Sequence, residues 1–343
     1  MVGITGYGIY IPSNRIKISE IAGVWKKDPE DIIRSLGITE KAVASGDEDT
    51  VTLATEAARN ALIMAGINPE NIEAIMVGSE SHPYAVNPTS TIVAAALGFS
   101  RQYLAVDLEF ACKAATAGIQ IIYALVSSGK IESGLVIGAD CAQAKPHDVL
   151  EYTAGAGSAA FLLGTKNTIV NILDFTSYSS DTPDFWRREG IRYPSHGGRF
   201  TGSPAYYEHV MGAANQLLAK TKTLPKDFNY VVFHSPNGKF PKSVASKLGF
   251  SQEQLNPGFI VDKIGNPYSA SSLLSLAAVL EIDKPGQKIF MVSYGSGAGA
   301  DAFILETTKE LLIKRQKIKN VSWFLKNKSY ISYTDMLKNE GKI

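Results

Sequence analysis

The chain has 343 residues, 45% of them hydrophobic and 20% charged, which is the balance of a globular protein with two domains or one large duplicated one. Its 34 Lys and Arg nearly match its 33 Asp and Glu, so no overall field recruits nucleic acid or an acidic membrane surface. Two cysteines, Cys112 and Cys141, favour a reducing compartment. Because the amino terminus lacks a signal-like apolar stretch and no apolar run approaches the roughly 20 residues that a bilayer needs, we expect a cytoplasmic protein without membrane spans.

Short apolar strands alternate with small-residue helices along the chain. Residues 3–11 read as the first strand, residues 18–36 as an irregular helical region, and residues 50–65 as an amphipathic helix. In the irregular region Asp28 precedes Pro29, which is a common helix start. Further strands are predicted at 72–79, 104–110, 134–139 and 158–164, with helices at 89–98 and from 112 to about 128. The alternation indicates an α/β fold whose strands are buried on both faces.

Cys112 lies between the predicted strand LAVDLEF and the helix that follows it. Unpaired N–H groups and the positive end of the helix dipole favour a thiolate there, so Cys112 is a candidate nucleophile. The alternative is a buried cysteine that acts only as a small apolar filler.

An internal repeat is the strongest signal in the sequence. The segment GAGSAAFLL from Gly155 returns as GAGADAFIL from Gly297, with six of nine positions identical. The repeat divides the chain into an N-terminal half, residues 1–166, and a C-terminal half, residues 167–343, which ends in a basic and aromatic tail at 309–343.

Four polar residues occupy matched places in the two halves. His234 lies 154 residues after Glu80, and Asn266 lies 154 residues after Cys112. The strand before Cys112 is expected to correspond to FIVDKIG before Asn266. If the halves pack about a pseudo-two-fold axis, these four side chains converge on one site.

The four residue types are suited to nucleophilic and acid–base catalysis. Cysteine supplies a nucleophile, glutamate a base, histidine a proton donor and acceptor, and asparagine an amide that orients a carbonyl. Taken singly, each has an ordinary explanation as a turn, surface or core residue. Glycines around Ser296 allow a close backbone approach, so an N–H there and that of Cys112 can form an oxyanion hole, unless the segment is only a hairpin turn.

These motifs, with Cys112 in EFACKAATAGIQ, His234 in FHSPNGK and Asn266 in GNPYSAS, resemble the thiolase superfamily over essentially the whole chain. With Glu80 in VGSES they look like the 3-hydroxy-3-methylglutaryl-CoA synthase family, in its shorter archaeal form. The resemblance implies a thiolase-like fold, with two duplicated βα halves in a layered αβαβα arrangement. Ketoacyl-acyl-carrier-protein synthase III, the nearest alternative, has no carboxylate base at the Glu80 position. A catalytically silent scaffold is a further alternative, although such proteins normally lose one of these residues.

The resemblance also implies a reaction. Acetyl-CoA acetylates Cys112, Glu80 removes a methyl proton, and the resulting carbanion equivalent attacks the ketone of acetoacetyl-CoA, an early step of the mevalonate pathway. Water then releases the product from the sulfur, and His234 holds the second substrate's oxygens. Because the chain carries almost no net charge, CoA phosphates require local cations. The family pattern implies CoA and substrate contacts at Asp28, Thr153, Arg199, Thr201, Lys239, Ser243, Asn266 and Ser296, with Lys242 nearby; exposed side chains without a ligand are the alternative.

The tail carries nine Lys or Arg against three acids, with four aromatic residues interleaved. Nothing else supports nucleic-acid binding, so a docked tail or a partner surface is the better interpretation. The resemblance further implies a homodimer, association with an acetoacetyl-CoA thiolase and a small zinc-ribbon/OB-fold protein, and neither a metal nor a resident cofactor, since both CoA thioesters are substrates.

Overall fold

The computed structural model describes all residues, 1–343, and is built around one nine-stranded sheet. The strands are β1 (Gly3–Tyr10), β2 (Asn14–Lys17), β3 (Glu40–Ala42), β4 (Ala74–Gly78), β5 (Leu104–Leu108), β6 (Gly134–Cys141), β7 (Ala156–Gly164), β8 (Val170–Thr182), β9 (Phe185–Trp186), β10 (Ser195–His196), β11 (Tyr230–Phe233), β12 (Lys288–Gly295), β13 (Gly297–Thr307) and β14 (Ser329–Tyr330). The α-helices are α1 (Ile18–Val24), α2 (Pro29–Leu36), α3 (Thr50–Ala65), α4 (Thr89–Leu97), α5 (Ala114–Ser127), α6 (Tyr207–Thr221), α7 (Phe240–Leu248), α8 (Gln252–Leu255), α9 (Val261–Ile264), α10 (Ser271–Ile282), α11 (Glu310–Lys314), α12 (Val321–Lys326) and α13 (Tyr333–Asn339). No helix has both the length and the apolar character needed to cross a membrane.

The large sheet consists of two similar halves in the order β11-β12-β13-β8-β1-β7-β6-β4-β5. In one half β4 lies parallel to β5 and β6, while β7 runs antiparallel to β6 and β1. In the other half β11 lies parallel to β12, while β13 runs antiparallel to β12 and β8. The halves meet where β1 pairs with β8. The repeated segment therefore lies on β7 and β13, which hold equivalent places in the two halves.

Alternating side chains on the central strands enter different apolar cores. On β4, Ile75 packs toward α3 and α4, whereas Met76 points into a central core shared with α5 and α10. On β11, Phe233 packs toward α6 and α7, whereas Val232 enters the same central core. Since successive strand residues face opposite sides, each half of the sheet lies between two helical layers. The result is the predicted αβαβα order.

Helix α10 lies in the middle layer, and ten of its twelve residues are buried. A helix that is apolar on all sides is typical of the interior of a large domain. Its N-terminal end follows Asn266 and Tyr268, so the most buried helix of the C-terminal half positions the predicted asparagine.

Most predicted elements are confirmed within a few residues, and α3 has the predicted bounds. The strand predicted in FIVDKIG is wrong, because the segment forms the short helix α9. Val261 and Ile264 are three residues apart, and each is buried in a different apolar core. The periodicity of so short an apolar run does not distinguish a strand from a helix. The predicted boundary at residues 166 and 167 falls in the connection between β7 and β8 and stays a prediction.

The C-terminal tail is docked on the N-terminal half. Strand β14 pairs in parallel with β2, and Met336 of α13 is fully buried. The Tyr333 hydroxyl donates to Oε1 of the buried Glu151 at 2.7 Å, and the Trp25 indole donates to Oε2 at 2.9 Å. Glu151, which lies two residues before Thr153, thus links the C-terminal tail to Trp25 at the end of α1.

Candidate active site

Cys112 sits in a tight turn between β5 and α5, as predicted. The strand ends at Leu108, the helix begins at Ala114, and Cys112 is 8% exposed. Ala111 has a φ of 44°, a left-handed conformation that costs a non-glycine residue roughly 1–2 kcal/mol. A hydrogen bond from Lys113 N to Phe110 O, 3.1 Å long, closes the turn. The surrounding structure therefore holds the cysteine in a fixed, strained loop.

Glu80 lies directly against the Cys112 sulfur. It follows β4, and its Oε1 accepts a hydrogen bond from the Cys112 thiol at 3.3 Å. Its backbone N–H donates to Asp140 Oδ1 at 2.8 Å, and its carbonyl accepts from Arg187 Nη2 at 3.1 Å. Contacts at the side chain and on both sides of its backbone therefore fix the carboxyl group beside the nucleophile.

The electrostatics of this pair overturn one expectation from the sequence. Burial raises the pKa of the Glu80 carboxyl from 4.5 to about 8, and the neighbouring Asp140 acts in the same direction. Burial also raises the pKa of the Cys112 thiol well above its ordinary value, with the Glu80 charge and hydrogen bond adding to the effect. The prediction that the helix start makes Cys112 a resting thiolate is wrong, because the helix dipole is outweighed by burial and by nearby carboxylates.

Asn266 reaches the same sulfur from the C-terminal half. Its side-chain amide lies close to Cys112 and lowers the thiol pKa, although less than burial and Glu80 raise it. Its backbone N–H donates to Thr153 O at 2.7 Å, and its carbonyl accepts from Gly155 N at 3.0 Å. Its Oδ1 accepts from Tyr268 N at 3.0 Å. The amide is therefore rigidly aimed, and Thr153 positions Asn266 through its backbone.

His234 lies at the end of β11 and is 1% exposed. Burial lowers the pKa of its imidazole to about 3, so the ring is neutral at physiological pH. Its carbonyl accepts from the Tyr206 hydroxyl at 2.7 Å, and its ring lies 6.2 Å from that of Tyr294. Nδ1 has no hydrogen-bond partner, and His234 makes no hydrogen bond to Cys112 or Glu80. Direct contacts therefore join Glu80, Cys112 and Asn266, whereas His234 stands beside Tyr294.

Asp140 is a buried site residue that the sequence reasoning missed. Its Oδ1 accepts from the hydroxyls of Ser79 at 2.8 Å and Ser81 at 2.7 Å, and its Oδ2 accepts from Ser269 N at 2.8 Å. A signal for it existed, because Tyr294 lies 154 residues after Asp140, the offset that relates Glu80 to His234. The two residues lie at equivalent positions near the ends of β6 and β12.

Asp184 also escaped prediction, since it lies in no repeated segment. Its Oδ2 accepts from the Tyr294 hydroxyl and its Oδ1 from Gly297 N, each at 2.7 Å. The predicted Ser296 is partly buried, and its side chain lies near that of Tyr294. The Gly297 N–H is therefore already used, and the oxyanion hole predicted around Ser296 stays a prediction.

Four of the predicted CoA-binding residues, Arg199, Thr201, Lys239 and Ser243, lie on two neighbouring elements. Arg199 and Thr201 lie in a turn that ends at Gly202, where an added Cβ would meet Phe240 Cζ at 2.6 Å. That close approach sets the turn against the start of α7, beside Lys239 and Ser243. Arg199 and Lys239 are exposed, and neither pairs with a carboxylate, so both cations are free for an anionic ligand.

Asp28 and Lys242 complete this surface. Asp28 is exposed and caps α2, its Oδ1 accepting from Glu30 N at 2.8 Å, as its place before Pro29 predicts. The other end of α2 reaches the His234 loop, where Gly238 N donates to Leu36 O at 2.7 Å. Lys242 is exposed, with Nζ 4.3 Å from the centroid of the Phe259 ring. The cap accounts for Asp28 structurally, and its role toward a substrate stays a prediction.

A cavity of about 330 Å³ lies beside Glu80, and these cations do not line it. Tyr268, Ala154 and Arg187 contribute to its wall. Among the predicted site residues, Glu80 alone lines it. Glu80 therefore contacts both the Cys112 sulfur and this cavity, which Cys112 does not line.

Comparisons with known proteins agree with this geometry. Residues 218–307 match the model of the 3-oxoacyl-[acyl-carrier-protein] synthase III C-terminal domain. The chain is 54% identical to the hydroxymethylglutaryl-CoA synthase of Methanothermobacter thermautotrophicus over 100% of this chain and 99% of that protein. Identity to the hydroxymethylglutaryl-CoA synthase of Methanocaldococcus jannaschii is also 54%, with the same coverage of both chains.

Solved structures show the same architecture. An HMG-CoA synthase complexed with CoA superposes with a TM-score of 0.90 at 25% identity, covering 98% of this chain and 89% of that one. The 3-oxoacyl-[acyl-carrier-protein] synthase III of Aquifex aeolicus gives a TM-score of 0.81 at 25% identity, covering 89% of this chain and 100% of that one. The fold is therefore thiolase-like, and on the strength of the full-length identity the chain belongs to the hydroxymethylglutaryl-CoA synthase family.

Proposed function

We propose that the chain condenses acetyl-CoA with acetoacetyl-CoA and water, giving 3-hydroxy-3-methylglutaryl-CoA and free CoA as an early step of the mevalonate pathway. The observation that carries the proposal is the 3.3 Å contact between the Cys112 thiol and Glu80, a carboxyl whose pKa is raised to about 8. A nucleophile and a tuned base at one point are what acyl transfer followed by removal of an α-proton requires.

In the first step, Cys112 takes an acetyl group. Its sulfur attacks the thioester carbon of acetyl-CoA, a new S–C bond forms, and CoA leaves as a thiol with the proton that Cys112 loses. Because the resting thiol is protonated, the reaction needs an acceptor for that proton, and the Glu80 carboxylate already accepts its hydrogen bond. The Asn266 amide, which reaches the sulfur, is placed to orient the acyl carbonyl.

In the second step, Glu80 removes a proton from the methyl group of acetyl-Cys112. The carbon attacks the ketone of acetoacetyl-CoA, and the ketone oxygen takes up a proton to become the tertiary hydroxyl. A methyl group beside a thioester is only weakly acidic, so a poorly solvated base with a raised pKa is favoured. Neutral, buried His234 suits hydrogen bonding to the oxygens of the second substrate.

In the last step, water cleaves the thioester between Cys112 and the product. The bond from the acyl carbon to sulfur breaks, a carboxylate forms, and the thiol regains its proton. Exposed Arg199, Lys239 and Lys242 supply charge for CoA phosphates, with Thr153, Thr201, Ser243 and Ser296 as polar neighbours and Asp28 at the entrance. A solved HMG-CoA synthase in complex with CoA supports a CoA site in this fold.

Assembly, compartment and cofactors form a less direct part of the proposal. We place the chain in the cytoplasm as a homodimer that works with an acetoacetyl-CoA thiolase and a small zinc-ribbon/OB-fold protein. It uses CoA thioesters only as substrates and needs no resident metal or organic cofactor, since Cys112 and Glu80 supply the nucleophile and base. Each of these points stays a prediction.

The test is a choice of second substrate. The purified chain receives acetyl-CoA with either acetoacetyl-CoA or malonyl-acyl-carrier protein, and products are identified by mass spectrometry. We expect 3-hydroxy-3-methylglutaryl-CoA from the first pair and no product from the second. A ketoacyl product would instead favour the synthase III alternative, and no product from either pair would favour a silent scaffold. Cys112→Ala should abolish the reaction, whereas Cys141→Ala is the matched cysteine control.

A further inference from the structure

Lys113, the residue after the nucleophile, holds a buried ion pair with the C-terminal half. Its Nζ lies 3.1 Å from Oδ1 and 3.2 Å from Oδ2 of Asp301 on β13. The two side chains are 6% and 0% exposed. The pair therefore joins the turn that carries Cys112 directly to a strand 188 residues away.

Asp301 collects further donors from both halves. The Thr116 hydroxyl donates to its Oδ2 and the Ser177 hydroxyl to its Oδ1, each at 2.7 Å. Thr116 also lies 2.7 Å from the Ser293 hydroxyl on β12. The carboxylate is thus fully satisfied, and the first turn of α5 is tied to both β12 and β13.

Close packing seats the cysteine turn on the same pair of strands. An added Cβ at Gly295 would lie 2.5 Å from Phe110 O and 2.9 Å from Lys113 Cγ, and one at Gly299 would lie 2.9 Å from Lys113 Cε. The Lys113 ammonium also lies 4.1 Å from the centroid of the Phe110 ring. Only glycine allows this approach, so the turn has little freedom to shift relative to β12 and β13.

A buried ion pair is a poor source of stability, because well-packed apolar residues of similar size usually serve as well or better. Its advantage is directional, since a two-oxygen contact fixes where the chain on each side must lie. We propose that the Lys113–Asp301 pair positions the Cys112 sulfur against Glu80 and Asn266. Lys113 is a positioning residue, because its ammonium group hydrogen-bonds Asp301 and not Glu80 or Asn266. This inference rests on the proposed function, but only the first of its two tests, acetylation by acetyl-CoA, requires that function.

The first test measures the single-turnover rate at which acetyl-CoA acetylates Cys112. Lys113→Met and Asp301→Asn should each slow acetylation by about 10- to 100-fold, the effect of a small misplacement of a reacting group. The KM for acetyl-CoA should change much less, because the phosphate contacts lie elsewhere. Since the two residues act as a unit, the double variant should be no slower than the slower single variant.

The second test needs no CoA. Alkylation of Cys112 by iodoacetamide is followed against pH, and a sulfur displaced from Glu80 should react with a lower apparent pKa than in the wild type. Lys314→Met is the matched control, because Lys314 is also buried but donates only to backbone carbonyls of Thr5 and Asn167. It should leave both the midpoint and the acetylation rate unchanged.

The outcomes separate the two ideas. A wild type that acetyl-CoA does not label contradicts the proposed function, and the alkylation midpoint then decides the positioning role alone. Wild-type acetylation rates and midpoints in folded Lys113→Met and Asp301→Asn overturn the inference. If either variant fails to fold, Thr116→Val removes one donor from Asp301 without leaving an unpaired buried charge, and it should give a smaller change in the same direction.

Discussion

The Cys112 thiol donates a 3.3 Å hydrogen bond to Oε1 of Glu80, so the proposed nucleophile and the proposed base are in direct contact. Each raises the barrier to charging the other, because two anions cannot lie side by side in a buried site. Their titrations are therefore properties of the pair. The resting enzyme keeps a protonated sulfur, and reaction begins when that proton moves.

Replacing Glu80 should separate the two chemical steps. Glu80→Gln removes the charge that raises the pKa of Cys112, so iodoacetamide should alkylate the thiol faster near neutral pH. Acetylation should persist, because the lower pKa of the thiol compensates for the loss of Glu80 as its proton acceptor. Condensation should fall by about 10²- to 10⁴-fold, the usual contribution of a general base. Normal condensation in this variant would remove Glu80 from the mechanism. The control is Glu73→Gln, because the Glu73 carboxylate accepts a hydrogen bond from Glu132 N and takes no part in the proposed reaction.

The rate of condensation should depend on pH through Glu80. Because its raised pKa is about 8, the carboxylate fraction and the rate should increase as pH rises toward that value. Asp140→Asn removes a like charge, so the midpoint should move to lower pH. The measurement is kcat against pH for both proteins. A midpoint that stays in place or moves upward in Asp140→Asn would contradict this electrostatic explanation.

Stability should weaken in acid because of His234. Its pKa is about 3 in the folded chain and 6.5 ordinarily, so between these values the unfolded chain binds a proton that the folded chain does not. Stability is therefore lost as pH falls through this window. Urea unfolding at several pH values should show a smaller dependence in His234→Gln than in the wild type. The exposed His147→Gln is the control, and equal slopes in all three proteins would refute the prediction.

The docked tail should contribute measurably to stability. Tyr333→Phe removes the hydroxyl that donates to buried Glu151 at 2.7 Å, leaving a carboxylate oxygen short of a donor. Such a loss costs about 1–3 kcal/mol in the free energy of unfolding. Denaturant titration checks the value against Tyr84→Phe on the exposed surface. An unchanged midpoint for Tyr333→Phe would mean that the tail does not depend on this contact.

The duplication made much of the fold and site predictable. Residues at the ends of equivalent strands lie at a constant offset, which is why Glu80, Cys112, His234 and Asn266 could be grouped without a structure. The same offset applied to Asp140 would have pointed to Tyr294. The offset does not carry secondary structure with it, because the C-terminal half replaces the strand equivalent to β5 with helix α9.

Other features depend on contacts that no local pattern encodes. Asp184 reaches Tyr294 and Lys113 reaches Asp301 across long stretches of sequence outside the matched set. The protonation state of the Cys112 thiol also depends on contacts that form only on folding. Its place before a helix predicted a thiolate, but burial and the charge of Glu80, brought close only by folding, reverse the direction of the pKa shift.

The most direct test of the proposed mechanism is the intact mass of the chain after incubation with acetyl-CoA alone. The wild type and Cys141→Ala should each gain the mass of one acetyl group, Cys112→Ala should gain none, and added acetoacetyl-CoA should discharge the adduct as 3-hydroxy-3-methylglutaryl-CoA. An unlabelled wild type, or equal labelling of Cys112→Ala, would contradict acyl transfer to Cys112.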